Sequence, residues 1–174
     1  MIEQQAEGFL ADTTSPIITA GGVRGIILRE ITWSILVNKI REKFGSGGEA
    51  LLYYIGLDMG VKAAAEHTKL AEALGLRERD KIVRIVGASM FTTTGWGSME
   101  IDEFTLNPTY VLITVYNNFE CEIRQTSKTP YSHLTRGLIA GYLSQLLGVD
   151  MEVNETHCIA KGDPYCRFEC KPRR

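Results

Sequence analysis

"VDMEVNETHCIAKGDPYCRFECKP", residues 149–172, alternates apolar and polar positions on both sides of a Gly-Asp-Pro sequence at residues 162–164. Alternation with a period of two is typical of strands that bury one face, and Gly, Asp and Pro favour turns. The pattern therefore predicts a β-hairpin. In its second strand, Cys166, Phe168 and Cys170 should share one face.

Three earlier segments have apolar residues at helical spacing: residues 21–45, about 49–74 and 130–148. In the second and third segments glycines recur four residues apart, at Gly56 and Gly60 and at Gly137 and Gly141. Each such glycine costs a helix about 1 kcal/mol, which close approach of another backbone can offset. We expect the second helix to be deeply buried or paired across a dimer.

Between the second and third helices, β-branched and aromatic residues dominate three stretches, residues 81–91, 97–106 and 110–125. Such composition, interrupted by turn residues, predicts an antiparallel sheet that the third helix covers. The fold class is therefore α+β, with about three main helices. A chain of 174 residues suits one domain; we expect an N-terminal arm over residues 1–24 and a single domain over residues 25–174.

Composition excludes several function classes. The chain has 19 Lys and Arg against 21 Asp and Glu, far from the basic excess of a nucleic-acid-binding surface, so no direct nucleic-acid partner is expected. No window approaches the roughly 20 apolar residues of a membrane span. The N-terminus lacks the pattern of a secretory signal, so we expect a cytoplasmic location. In that reducing compartment, the four cysteines should remain thiols or bind metal.

The hairpin sequence holds a candidate metal site. Cys158 and Cys166 flank the turn, so a hairpin would bring them together, and Glu155 lies near enough to reach the same ion. A structural zinc site needs four ligands, usually thiolates and imidazoles. The remaining candidates are His157, Cys170, His133 and Cys121. Buried thiols without metal are the alternative, and a redox pair is disfavoured because no Cys-x-x-Cys is present.

The hairpin also carries a family resemblance. The string E-x-x-C-x-x-x-G-D-x-x-C-x-F resembles the C-terminal signature of the 4-vinyl reductase domain family; it is filled by Glu155, Cys158, Gly162, Asp163, Cys166 and Phe168. Four other stretches resemble successive segments of that family, in order: "IILREITWSIL", "LLYYIGLDMG", "FECEI" and "GLIAGYLSQLLG". The resemblance covers nearly the whole chain from about Gly25.

The resemblance implies a fold related to that of the TRAPP vesicle-tethering subunits, enclosing an apolar pocket for a small hydrophobic molecule. In aromatic-sensing activators of this family, the domain binds phenol-like effectors beside a zinc ion held by one Glu and three Cys. Glu155, Cys158 and Cys166 match three of those ligands by position. The fourth family cysteine falls on Ser132 here, which leaves His133 and Cys121 as candidates for the fourth ligand.

These observations favour a stand-alone sensor domain for a small hydrophobic or aromatic ligand. We expect a homodimer with a zinc-stabilised terminal hairpin that passes its signal to a downstream partner protein. Trp96, Phe119 and Tyr142 are the expected pocket residues, although each could be ordinary core. Trp33 could lie at a dimer contact, and His67 is expected to be a satisfied helix histidine.

Two other functions remain open. One is a component of a 4-vinyl reductase acting on a (bacterio)chlorophyll precursor, because the family takes its name from such a protein. The sequence has no dinucleotide-binding glycine motif, flavin signature or iron-sulfur spacing, so a partner would have to carry the cofactor. We therefore expect that the chain is not itself an enzyme. The other possibility is a protein-interaction scaffold, as the tethering-subunit resemblance suggests.

Overall fold

A computed structural model describes residues 18–20, 23–123 and 126–174. Its helices are α1 (Glu30–Phe44), α2 (Ser46–Ala73), α3 (Arg79–Lys81), a π-helical stretch (Ile82–Gly87), α4 (Ala88–Thr93), α5 (Phe119–Glu122) and α6 (His133–Leu147). Its strands are β1 (Ile18–Ala20), β2 (Val23–Gly25), β3 (Ser98–Leu106), β4 (Thr109–Tyr116), β5 (Met151–His157) and β6 (Cys166–Pro172). The predicted α+β class, with an antiparallel sheet and three long helices, is confirmed.

The main sheet has four antiparallel strands in the order β3-β4-β6-β5. The predicted hairpin is its β5–β6 half, and β6 lies in the middle of the sheet between β4 and β5. Cys166, Phe168 and Cys170 are all fully buried, as their predicted shared face requires. Gly162 has a φ of +99°, a backbone conformation that favours glycine at the turn.

The glycine pairs make the crossing of α2 and α6 possible. Each of the four glycines faces a backbone carbonyl of the other helix: Gly56 that of Leu134, Gly60 that of Leu138, Gly137 that of Tyr53 and Gly141 that of Leu57. A Cβ atom at any of these positions would collide with that carbonyl oxygen. The expected burial of α2 is thus confirmed, and its close partner is α6 of the same chain.

Two strand predictions are wrong. Residues 81–91, expected in the sheet, are helical, with Ile82, Val83, Val86 and Phe91 buried at spacings of one to five residues. Packing against α2 and the sheet outweighs the β-propensity of their branched side chains. Residues 119–122, expected to continue β4, form α5 instead. Asn117, with a φ of +51°, turns the chain after β4.

The N-terminal arm predicted over residues 1–24 lies mostly outside the described residues; within it, β1 pairs with β2 in a separate two-stranded sheet. The division into arm and domain therefore stays a prediction. In the part of the chain that the structure describes, no helix combines the length and apolarity that a membrane crossing demands.

Candidate metal centre and apolar cavity

Three cysteines and one glutamate meet where α5, the start of α6 and the β5–β6 hairpin come together. They are Cys121, Glu155, Cys158 and Cys166, and one ligand atom from each lies within 4.8 Å of all the others. Cys121 Sγ lies 3.5 Å from Cys158 Sγ and 3.6 Å from Cys166 Sγ. All three cysteines are fully buried, and Glu155 is 8% exposed. Three thiols and one carboxylate at this spacing form a donor set that suits a four-coordinate divalent metal.

Ser132 lies among these donors, at the position where the family pattern has a cysteine. Its Oγ donates to Glu155 Oε1 at 2.7 Å, and its backbone N–H donates to Glu155 Oε2 at 3.0 Å. The same Oγ accepts a hydrogen bond from Asn118 Nδ2 at 3.0 Å and lies 3.0 Å from Cys121 Sγ. Ser132 therefore orients the carboxylate and one thiol of the cluster.

Burial and mutual hydrogen bonds spread the pKa values of the cluster. Burial and the neighbouring Cys158 raise the pKa of Glu155 to about 8. Hydrogen bonds with Cys121 and Cys166 hold the pKa of Cys158 well below its usual range, whereas the hydrogen bonds to Cys158 and Cys166 raise the pKa of Cys121. At Cys166 the contact with Cys121 lowers the pKa, but the contact with Cys158 and burial outweigh it and raise the pKa to about 12. One thiolate, that of Cys158, therefore accepts hydrogen bonds from two neighbouring thiols.

The other candidate ligands from the sequence lie outside this cluster. His133 Nδ1 lies 3.4 Å from Arg41 Nη2, and its Nε2 lies 3.8 Å from Glu49. Burial lowers the pKa of His133. His157 packs on the ring of Tyr165. Of the two candidates for the fourth ligand, the fold thus brings Cys121 to the other three donors.

An apolar cavity of about 700 Å³ lies between the helices and the sheet. This volume is within the usual range for small-molecule sites. Its wall is formed mainly by apolar and aromatic side chains from α1, α2, the helical segment 82–93, β3, β4 and α6, and by residues 25–28 ahead of α1. The expected pocket residues Trp96 and Tyr142 line it, and Phe119 lies behind Trp96 with ring centroids 4.9 Å apart.

A polar pair in the cavity wall joins two long helices. His67 Nδ1 lies 3.3 Å from the hydroxyl of Tyr142, and both side chains line the cavity. Burial lowers the pKa of His67 and raises the pKa of Tyr142. Sequence reasoning treated His67 as a satisfied helix histidine and missed its place in the wall. Helical spacing from Ala63, which also lines the cavity, is the signal that could have found it.

Helix α5 connects the cavity to the cysteine cluster. Phe119 donates its backbone N–H to the carbonyl oxygen of Trp96 at 3.2 Å, and Cys121 follows two residues later. Between them, Glu120 is fully buried and forms a 2.6 Å ion pair with Arg41 of α1. Trp33 of α1 completes the aromatic contact, 5.9 Å from Trp96 and 6.1 Å from Phe119. Trp33 is thus in contact with the cavity wall of its own chain.

Comparison with known proteins gives matches at the level of sequence. Residues 111–172 match the family model of the 4-vinyl reductase domain. An uncharacterized protein of Methanocaldococcus jannaschii is 28% identical over 127 residues, covering 73% of this chain and 66% of the relative. The phenol regulator MopR of Acinetobacter guillouiae is 29% identical over 125 residues, covering 67% of this chain and 22% of MopR. The chain thus spans just under two thirds of the first relative and about a fifth of MopR.

Solved structures share the fold. The phenol-responsive sensory domain of the transcription activator PoxR, solved with phenol, has a TM-score of 0.81 at 19% identity, covering 94% of this chain and 84% of that one. A vinyl-4-reductase family protein from Methanocaldococcus jannaschii has a TM-score of 0.60 at 23% identity, with 86% and 85% covered. A trafficking protein particle complex subunit 3 from Naegleria fowleri, covalently bound to palmitic acid, has a TM-score of 0.60 at 19% identity, with 83% and 93% covered. The resemblance to the 4-vinyl reductase domain family and the TRAPP-like fold is confirmed.

Proposed function

We propose that this chain is a sensor domain that binds a small hydrophobic or aromatic molecule, in keeping with its 4-vinyl reductase domain match over residues 111–172. The observation that carries this proposal is the apolar cavity of about 700 Å³ with the His67–Tyr142 pair in its wall. An apolar wall provides affinity by excluding water, and a few polar groups orient the ligand. The preferred ligand has an apolar body and one hydroxyl or similar group that reaches this pair.

Fluorescence offers a direct test of ligand binding, because both tryptophans of the chain, Trp33 and Trp96, line the cavity. Phenol, a longer alkylphenol and a fatty acid are titrated while tryptophan emission and melting temperature are recorded. We expect at least one to change the emission and raise the melting temperature. His67→Leu should weaken a hydroxyl-bearing ligand about tenfold, the usual order for losing one hydrogen bond to a partly buried group. His157→Leu, remote from the cavity lining, is the matched control. No response to any of the three ligand classes would overturn the proposal.

The cysteine cluster supports a structural zinc site with Cys121, Glu155, Cys158 and Cys166 as its ligands. The four donors are buried and close together, and Ser132 orients the carboxylate among them. When bound, zinc supplies a cross-link among its ligands. The chain's contribution is to hold α5, the start of α6 and the terminal hairpin around the ion.

Metal content distinguishes the two candidates for the fourth ligand. Elemental analysis is done on the purified wild-type protein, Cys121→Ser and His133→Ala. We expect about one equivalent of zinc in the wild type and in His133→Ala, and a large loss in Cys121→Ser, because Cys121 lies with the other donors and His133 does not. The reverse order would remove Cys121 from the ligand set, and metal-free wild-type protein that takes up no zinc on reconstitution would remove the site altogether.

The remaining parts of the proposal concern the setting of the sensor. A cytoplasmic location agrees with four cysteines present as free thiols. Transfer of the signal to a downstream protein agrees with the sensory-domain fold of PoxR. The interaction scaffold is the second candidate, because the trafficking subunit shares the fold. A stable copurifying protein partner, together with failure of all ligand titrations, would favour the scaffold. The reductase-component hypothesis stays a prediction, tested by turnover of a porphyrin substrate with NAD(P)H.

A further inference from the structure

A strip of apolar side chains is exposed along the start of the described domain. It consists of Ile26, Ile27, Leu28, Ile31 and Ile35, which are 78%, 55%, 42%, 56% and 58% exposed, and we call it the N-terminal apolar strip. Positions 28, 31 and 35 are spaced three and four residues apart, so they follow one face of α1. The buried positions of this helix, Val37 and Arg41, lie on another face. Soluble proteins seldom leave such a continuous strip in water without a use for it.

The same strip forms part of the cavity wall. Ile26, Ile27 and Leu28 line the cavity although they are largely exposed to solvent. Trp33, one turn further along α1, lines it as well. A surface that covers the strip would therefore also cover this side of the cavity and remove its contents from water.

The size of the strip fits one side of a protein interface. Its five side chains expose on the order of 500 Å² of apolar surface, by their exposed fractions. One partner of a standard interface buries roughly 800 Å², of which about 56–65% is apolar, or roughly 450–520 Å². The strip alone thus supplies the apolar part of one side.

The charges beside the strip favour a second copy of the chain. Arg29, Lys39 and Lys43 stand close in sequence to Glu30 and Glu42, and Lys39 already pairs with Glu42. Both signs are present in nearly equal number, so two copies of this surface would not repel each other. An anionic membrane or a nucleic acid would require a clear basic excess, which this surface lacks.

We infer that the N-terminal apolar strip is the interface of a homodimer in which each copy covers the strip of the other. Because the strip is also cavity wall, dimer formation and ligand binding are linked: a ligand that binds the closed cavity more tightly strengthens the dimer by the same factor. The interface itself is independent of the proposed function, whereas the linkage rests on it. This gives the predicted homodimer a specific surface.

Sedimentation velocity of the full zinc-loaded chain tests the interface over a wide concentration range. Ile31→Asp and the milder Ile35→Ser should shift the protein toward monomer, by about tenfold or more in the dissociation constant for Ile31→Asp. Leu106→Asp, on a β3 residue that is 53% exposed, is the matched control and should remain dimeric. Far-ultraviolet circular dichroism and zinc content report that each variant is folded. A wild-type protein that is monomeric throughout, a folded Ile31→Asp that dimerises normally, or monomer bound to phosphatidylglycerol vesicles through the strip would overturn the inference.

Repeating the sedimentation with saturating phenol separates the linkage from ligand binding itself. Tryptophan emission reports whether phenol binds, and the sedimentation reports whether the dimer is strengthened. We expect both changes in the wild type, and a weaker affinity for phenol in Ile31→Asp. Binding without any effect on the dimer constant would overturn the linkage and leave the sensor function standing. If emission is unchanged with phenol, a longer alkylphenol or a fatty acid, the proposed function fails while the dimer result still decides the interface.

Discussion

The cysteine cluster and the cavity are neighbours of opposite character. The cluster is closed: its three thiols are fully buried, and its carboxylate is held by two hydrogen bonds from Ser132. The cavity has a wall that is buried where α6 and the sheet form it, and exposed where Ile26 and Ile27 form it. A structural metal benefits from a site without solvent access, whereas a ligand must be able to enter and leave. The difference indicates that the two sites divide the tasks of stability and sensing.

The largest expected effect comes from breaking the closed site. Cys158→Ser should lose zinc and lower the free energy of unfolding of the metal-loaded protein by roughly 5 kcal/mol or more, because metal binding contributes directly to folding. Cys170→Ser is the matched control, since Cys170 is equally buried in the same hairpin but lies outside the cluster. It should retain zinc and lose only about 1–3 kcal/mol for burying a hydroxyl. Urea unfolding with zinc analysis measures both, and equal losses would refute a metal role for Cys158.

Filling the open site should affect ligand binding and leave the closed site intact. Ala63→Phe projects a ring into the cavity from α2 and should weaken phenol binding by about ten- to a hundredfold, equivalent to about 1.4–2.8 kcal/mol. Ala65→Phe, an exposed position on the same helix, is the control and should bind normally. Tryptophan fluorescence titration and zinc analysis are the measurements. Unchanged phenol affinity in a folded Ala63→Phe would place the ligand elsewhere.

Proton release upon zinc binding should distinguish the cluster from an ordinary exposed chelate. Below pH 8 the metal must displace protons from Glu155, Cys121 and Cys166, whose pKa values are raised, while Cys158 is already a thiolate. We therefore expect about three protons per zinc near pH 7, and about two above pH 8, where Glu155 ionises without metal. Zinc affinity should fall steeply as the pH is lowered. Calorimetry in buffers of different ionisation enthalpy measures the count. Glu155→Gln should release about two protons at both pH values, and a third proton in that variant would contradict the assignment.

The smallest effect concerns the connection through α5. Phe119→Leu should cost about 1 kcal/mol and weaken both phenol and zinc binding a few-fold, because Phe119 contacts Trp96 and lies two residues from Cys121. Phe91→Leu removes a contact with Trp96 from another segment and should weaken phenol binding alone. Zinc competition with a chelating dye, run beside the phenol titration, measures the pair. If Phe119→Leu leaves zinc affinity unchanged, the two sites are energetically independent.

Much of this comparison could be predicted from the sequence, but unevenly. The hairpin pattern placed Glu155, Cys158 and Cys166 near one another because a turn brings flanking residues together regardless of the rest of the fold. The partner of these residues could not be chosen, since Cys121 and His133 are both near the start of α6 in sequence or space. The choice depends on Asn117, which follows β4, and on α5, which turns Cys121 toward the hairpin.

The cavity shows the same limit. Trp96 and Tyr142 were expected in it, but the pairing of His67 with Tyr142 joins residues 75 positions apart and follows from the α2–α6 crossing. The segment 81–91 was expected as a strand because branched side chains favour strands when considered locally. Its burial against α2 decided otherwise.

The sequence by itself determined the features that depend on local spacing: the hairpin and its buried face, the long helices, and the glycines that let two of them approach. These follow from periods of two and of three to four residues, which every short segment carries within itself. Only the tertiary structure decided which cysteine completes the cluster, which histidine reaches the cavity, and which apolar side chains stay exposed. Those outcomes depend on long-range packing, in which the free energy of burial is shared among segments distant in the chain.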